Sequence, residues 1–114
     1  MKTASLIDNL VHKEDRPAIT VLLDSDAGKE IRIAFKKDQI MKEHKTGFPI
    51  VVEIFDGAIN FGVNGEVLQL KKGDLIALDS NVPHDLKAME DSIVRLSLNK
   101  LDTAQRVEKV VEGS

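Results

Sequence analysis

The sequence predicts an all-β jelly-roll barrel that carries a short C-terminal helix. Short runs of β-branched and apolar residues follow one another closely, and clusters of Gly, Asn and Asp separate them. The pair Asn64–Gly65 lies between two such runs. Asn-Gly is a strong hairpin signal, because both residues of a type I′ turn need positive φ. Helical patterning is confined to the two ends of the chain, and many short strands with such turns are typical of a sandwich or barrel.

The first elements are a short N-terminal helical turn over residues 4–10 and a series of strands beginning near residue 19. In the second strand Ile31, Ile33 and Phe35 alternate with polar residues, which predicts one buried face. The run 50–55 is almost entirely apolar, which predicts a strand buried on both faces. The predicted strands are 19–23, 30–35, 50–55, 59–63, 67–70, 75–78, 83–88 and 93–98.

The last element is a C-terminal helix over about 102–112. Asp102 or Thr103 can cap its N-terminus, and Val107, Val110 and Val111 form one apolar stripe. We expect this helix to pack on the barrel but to be peripheral to its pocket. No linker interrupts the chain, so residues 1–114 are predicted to form a single domain with a barrel core over about 17–100.

Composition excludes several function classes. The net charge is −3, with acidic and basic residues interspersed, so no basic face suggests nucleic acid. No apolar run reaches membrane-spanning length, and the N-terminus lacks the pattern of a secretory signal. Cysteine is absent, which excludes disulfides and thiol catalysis and favours a cytoplasmic location. Tyrosine and tryptophan are also absent, so phenolic acid catalysis is excluded.

Two stretches between Asp38 and Ala88 carry recognisable motifs. The first pattern, G-x5-H-x-H-x3-4-E-x6-G, meets Asp38, His44, Thr46, Ile50 and Gly57 at its marked positions. The second pattern, G-x5-P-x-G-x2-H-x3-N, meets Gly73, Asp79, Asn81, His84 and Ala88. Four of the ten positions match, and the Asn64–Gly65 hairpin lies between the two stretches. In this the chain resembles the cupin superfamily, which implies a barrel with inward-facing residues at positions 44, 46, 50 and 84.

The resemblance also implies a reduced metal site. In the family two histidines and a glutamate of the first motif and a histidine of the second hold one divalent metal. Here His44 and His84 remain, whereas Thr46 and Ile50 replace a nitrogen and a carboxylate ligand. Catalytic zinc and non-haem iron sites normally use three protein ligands. The sequence therefore predicts at most weak binding of zinc, nickel or iron by His44 and His84.

Three interpretations of the histidine pair stay open. Both side chains can be pocket residues held by hydrogen bonds, both can bind a metal with waters or a third group, or one can act as a general base. His12 lies in a polar segment and is expected to be solvated; it supplies a third ligand only if that segment folds over the barrel mouth. Glu53 has the parity opposite to Ile50 and Val52, which indicates an outward-facing, structural role.

The favoured function is a small-molecule-binding barrel for a largely apolar or weakly polar metabolite. The predicted ligand-binding residues are His44, Thr46, Ile50, Val52 and His84. The alternative is a metal-dependent enzyme of the isomerase or oxygenase type with a reduced ligand set, so catalysis is left undecided. We also expect a homodimer, because an open sheet exposes an edge strand and small cupins usually pair through the outer sheet and the N-terminal strand.

Overall fold

The structure is a computed structural model that describes residues 1–113. Nine strands form two antiparallel sheets that pack face to face, and one helix follows them. The strands are β1 (Ala18–Ser25), β2 (Gly28–Phe35), β3 (Ile40–His44), β4 (Ile50–Asp56), β5 (Ala58–Val63), β6 (Glu66–Lys71), β7 (Leu75–Leu78), β8 (His84–Ala88) and β9 (Ser92–Leu98). The five-stranded sheet has the order β1-β2-β9-β4-β7, and the four-stranded sheet has the order β3-β8-β5-β6.

The period-two alternation of the sequence places one face of each sheet in a shared core. Ile31, Ile33 and Phe35 of β2 are fully buried, as their alternation predicts. Ile54 lies on β4 in the five-stranded sheet, and Phe61 lies on β5 in the four-stranded sheet. Both are fully buried and belong to the same apolar cluster. The predicted all-β jelly roll is confirmed, since its two sheets enclose one core.

Turn chemistry sets the register of the strands. Asn64 and Gly65 have φ of 52° and 75° and join β5 to β6, with Val63 paired to Glu66, as the Asn-Gly signal predicts. The first and second motif begin at Asp38 and Gly73, whose φ values are 74° and 92°. Positive φ is uncommon at a non-glycine residue and is typical of glycine. Asp38 therefore has the backbone conformation expected of the glycine that the motif carries at this position.

Two predicted elements differ from the structure. Residues 4–10 form turns and bends, with no helix. This segment lies across the outer face of β2, where Arg32 donates hydrogen bonds to the carbonyl oxygens of Asp8 at 3.0 Å and Asn9 at 3.1 Å. These contacts leave Arg32 only 2% exposed. The Ser5 hydroxyl accepts from the amides of Ile7 and Asp8, and Asn9 has a positive φ of 54°, so the segment forms turns in place of a helix.

Strand β4 is buried on one face only. Val52 and Ile54 face the core, whereas Val51 on the outer face is 41% exposed. The prediction of a strand buried on both faces was therefore wrong for the single chain, although its apolar composition remains unusual for an exposed face.

The C-terminal helix α1 (Ala104–Glu112) is capped at its N-terminus by Thr103, whose hydroxyl accepts a hydrogen bond from the amide of Arg106 at 3.2 Å. Val107, Val110 and Val111 are buried, as their stripe predicts. The helix contacts β3 and β1 and adds these valines to the barrel core. Within residues 1–113, no helix is long and apolar enough to span a membrane.

Candidate binding site

The two histidines of the motifs meet across neighbouring strands. His44 at the end of β3 pairs with His84 at the start of β8. Their ring centroids are 4.2 Å apart with an interplanar angle of 60°. Phe61 stacks on the ring of His84 with a centroid distance of 5.5 Å and an interplanar angle of 6°. His84 is buried and His44 half-buried, so the pair connects the barrel interior with its surface.

Backbone carbonyls fix the tautomer of each ring. Nδ1 of His44 lies 2.7 Å from the carbonyl oxygen of Lys42, and Nδ1 of His84 lies 2.9 Å from that of Val82. A carbonyl oxygen can only accept, so Nδ1 carries the proton in both rings and Nε2 presents a lone pair. Within residues 1–113, the hydrogen bonds of both rings are made by Nδ1, and neither Nε2 atom has a protein partner.

The environment keeps both imidazoles neutral. Burial lowers the pKa of His44 to about 4. The positive charges of Arg106 and of a protonated His84 act in the same direction. Burial likewise lowers the pKa of His84, and Arg106 contributes in the same direction. At neutral pH the site therefore presents two hydrogen-bond acceptors and no imidazolium.

A small cavity adjoins the two rings. Its volume is about 10 Å³, which is room for one water molecule. Its lining is apolar apart from the two histidines and one arginine: Ile33, Met41, His44, Ile50, Val52, His84, Leu86, Val94, Leu96, Arg106 and Val107. Of the predicted ligand-binding residues, His44, Ile50, Val52 and His84 come together around this cavity, and Thr46 does not line it.

Thr46 instead belongs to a polar cluster beneath the helix. It is 5% exposed, and its hydroxyl donates to Oδ2 of Asp102 at 2.8 Å. Asp102 is 4% exposed and accepts from Nε and Nη2 of Arg106 at 2.7 and 2.9 Å. Strand β3 ends at His44, so the alternation that predicted an inward-facing Thr46 does not extend to it.

The helix is therefore part of the site. Arg106 and Val107, both on α1, line the cavity together with the histidines. The expectation of a peripheral helix was wrong, because the valine stripe packs into the barrel rather than against its outside. Sequence reasoning missed Arg106. The available signal was the Asp102–Arg106 spacing of four residues, which brings opposite charges together at a helix start.

The residues present do not fit a complete divalent metal centre. Two Nε2 lone pairs are available. Ile50 has no ligand atom, and the Thr46 hydroxyl donates its hydrogen bond to Asp102. Among residues 1–113 no cluster of three or more His, Cys, Asp or Glu side chains could hold a metal ion. His12 is half-buried rather than solvated and lies outside the cavity lining. Glu53 faces outward, with its carboxylate 3.6 Å from Arg95.

Comparison with known structures identifies the architecture. No protein-family model and no curated protein sequence matches the chain. An RmlC-like cupin protein from Desulfovibrio desulfuricans superposes with a TM-score of 0.79 at 19% identity, over 88% of this chain and 97% of that one. The chain has the cupin fold.

Further solved structures agree with this assignment. A conserved protein with a double-stranded β-helix domain from Klebsiella pneumoniae superposes with a TM-score of 0.76 at 15% identity, covering 87% of this chain and 85% of that one. A conserved protein of unknown function from Streptococcus pyogenes gives a TM-score of 0.74 at 20% identity and covers 90% of each chain. The cupin architecture thus spans nearly the whole of both proteins in each comparison.

Proposed function

We propose that this cupin-fold protein binds a small molecule at the His44–His84 pair. The supporting observation is that two neutral imidazoles, each held by a backbone carbonyl, present unprotonated Nε2 atoms beside one cavity. Each Nε2 atom can accept a hydrogen bond, so two such acceptors beside an apolar cavity favour a ligand that donates hydrogen bonds. A few convergent polar groups in an apolar pocket are typical of ligand sites.

The cavity limits how the ligand binds. Pockets that enclose a metabolite measure about 300 Å³ or more, whereas this one has about 10 Å³. One water-sized donor group, such as a hydroxyl, therefore enters the cavity beside the two rings. The remainder of the ligand lies at the mouth between β3 and α1, where His44 and Arg106 are only half-buried. Ile50 and Val52 form apolar walls that exclude water from the hydrogen bonds.

Chemical-shift mapping by NMR tests the proposal. A library of small alcohols, amides and hydroxy acids should contain compounds that shift the amide and imidazole resonances of His44 and His84. Replacing His84 by leucine should abolish those shifts, because it removes one acceptor at similar volume. His12→Gln is the matched control, since His12 lies outside the cavity lining. Ligands that shift only residues distant from the cavity would contradict the proposal.

The alternative is a metal-dependent cupin enzyme, of the isomerase or oxygenase type, with a reduced ligand set. The observation that favours it is the hydrogen bond from each Nδ1 to a carbonyl, an arrangement common among metal-binding histidines. The proximity of the Arg106 guanidinium opposes it, because a fixed positive charge weakens the binding of a cation. Metal analysis of freshly purified protein decides between the two, since a stoichiometric metal would support the enzyme.

A further inference from the structure

Arg106 contributes a guanidinium to the cavity that holds the histidine pair. One edge of this group is already occupied: Nε and Nη2 donate to the two carboxylate oxygens of Asp102 at 2.7 and 2.9 Å. A guanidinium has five N–H donors and can present a second fork-shaped edge. Within the described part of the chain, Nη1 has no hydrogen-bond acceptor.

Asp102 holds this guanidinium in a defined orientation. Its carboxylate accepts from the Thr46 hydroxyl at 2.8 Å and from the Thr103 amide at 2.8 Å, in addition to Arg106. Burial raises the pKa of Asp102, but these hydrogen bonds outweigh burial and keep the pKa below its usual value. The carboxylate therefore stays ionised at neutral pH, and Arg106 loses little conformational freedom when a ligand binds.

The polar groups of the cavity select a ligand with two different ends. The Nη1 edge of Arg106 is a donor that suits a carboxylate. The Nε2 atoms of His44 and His84 are acceptors, which repel carboxylate oxygens and require a donor. An ammonium group would be repelled by Arg106, whereas a hydroxyl is neutral and has the size of the single water that the cavity admits.

We infer that the ligand is a small hydroxycarboxylate, bound without a metal ion. Its hydroxyl donates to the histidine pair, and its carboxylate lies at the cavity mouth against Arg106. This inference rests on the proposed binding at the histidine pair and adds the chemical class of the ligand. Arg106 is a specificity-determining residue in this arrangement, and Thr46 and Asp102 position it.

A comparison of matched probes on the unaltered protein tests the inference. Glycolate, lactate, 3-hydroxybutyrate and malate carry both groups, acetate and succinate lack the hydroxyl, and ethylene glycol lacks the carboxylate. Titrations followed by NMR, run first without and then with EDTA, should show hydroxycarboxylates binding about tenfold more tightly than either set of controls under both conditions. Loss of binding on adding EDTA would overturn the metal-free mode.

The variant Arg106→Gln should weaken hydroxycarboxylate binding by about tenfold and leave ethylene glycol binding unchanged. Arg95→Gln is the matched control, because Arg95 lies on the outer face of β9. Circular dichroism establishes that the variant folds. If Arg106→Gln does not fold, the probe comparison on the unaltered chain remains decisive by itself.

The outcomes separate this inference from the proposed function. Two outcomes would overturn the ligand class and leave the proposal of small-molecule binding intact. In the first, neutral alcohols or amides bind at the histidine pair as tightly as hydroxycarboxylates. In the second, they bind there and no carboxylate does. A library in which no compound shifts His44 or His84 would overturn both.

Discussion

At the scale of single residues, the neutral state of the cavity histidines makes folding sensitive to pH. The pKa of His44 is lowered by burial from 6.5 to about 4, and the pKa of His84 is lowered in the same direction. Between pH 6.5 and about 4 the unfolded chain binds a proton at His44 that the folded chain does not. The free energy of unfolding is therefore greatest above pH 6.5 and falls as the pH decreases toward about 4.

Thermal unfolding measured from pH 7.5 to pH 4 tests this prediction. The unaltered protein should lose stability over that interval, and the double variant His44→Gln with His84→Gln should lose less of it. His12→Gln should behave like the unaltered protein. A melting temperature of the double variant that falls as steeply as that of the parent would refute the assignment to these two rings.

A second prediction at this scale concerns metal affinity. The unaltered protein should show only a small thermal shift with zinc, nickel or iron(II), because among residues 1–113 two imidazoles are the only metal ligands that line the cavity. Ile50 lines the same cavity as both histidines, so Ile50→Glu should place a carboxylate within reach of a metal ion held by them. At free metal about a hundredfold above the dissociation constant, binding adds about 2.7 kcal/mol to stability. That corresponds to a melting shift on the order of ten degrees for a domain of this size.

Val51→Glu is the matched control for Ile50→Glu, because Val51 is the neighbouring residue on β4 and faces outward. Each variant is compared with and without metal, so any cost of burying the new carboxylate cancels. A full shift in the unaltered protein would reveal a third ligand that already exists. An Ile50→Glu protein that folds and gains nothing would show that position 50 does not converge with the histidines.

At the scale of secondary-structure elements, strands with one buried face were predictable from the sequence. Their period-two alternation is visible in the sequence because the inner face of each strand packs into the shared apolar core. Strand β3 was not recognised as a run, because Lys42 and Glu43 are exposed at a sheet edge and only Met41 is fully buried there. The position of α1 was not predictable either, since a valine stripe shows that a helix packs and does not show where.

The helix should contribute to stability through the residues that close the barrel. Val107 is 1% exposed and lines the cavity, so Val107→Ala should cost about 2 kcal/mol. Gln105→Ala, on the exposed side of the same helix, should change the free energy of unfolding by less than about 0.5 kcal/mol. Urea denaturation measures both. Equal effects of the two substitutions would show that the helix does not close the barrel.

At the scale of the whole molecule, the outer face of the five-stranded sheet has two unlike halves. Residues 6–9 cover Arg32 on β2. The other half, on β4 and β7, is left uncovered by residues 1–113: Val51 is 41% exposed and Leu75 is 65% exposed. Val51 pairs with Ala77 and Leu75 pairs with Glu53, so these side chains share one face. Apart from Glu53, which pairs with Arg95, the outer face of β4 is apolar, as expected of a face that is covered.

We expect a second copy of the chain to cover this half of the sheet, which makes the protein a homodimer. A two-fold interface uses the same patch on both copies, and an apolar patch beside the ion pair of Glu53 and Arg95 suits such pairing. The edge strand β7 would then be protected from further pairing. The sequence-based expectation named the outer sheet together with the N-terminal strand; the prediction keeps the outer sheet and places the interface on its β4 and β7 half.

Light scattering at micromolar concentration tests the dimer. The unaltered protein should have twice the mass of one chain, and Leu75→Lys should dissociate it, because each copy would bury an unpaired lysine in the apolar interface. Val67→Lys is the matched control: Val67 is 66% exposed, but it lies on β6 in the other sheet. A monomeric parent would remove the prediction. Dissociation by Val67→Lys with no effect of Leu75→Lys would place the interface on the four-stranded sheet instead.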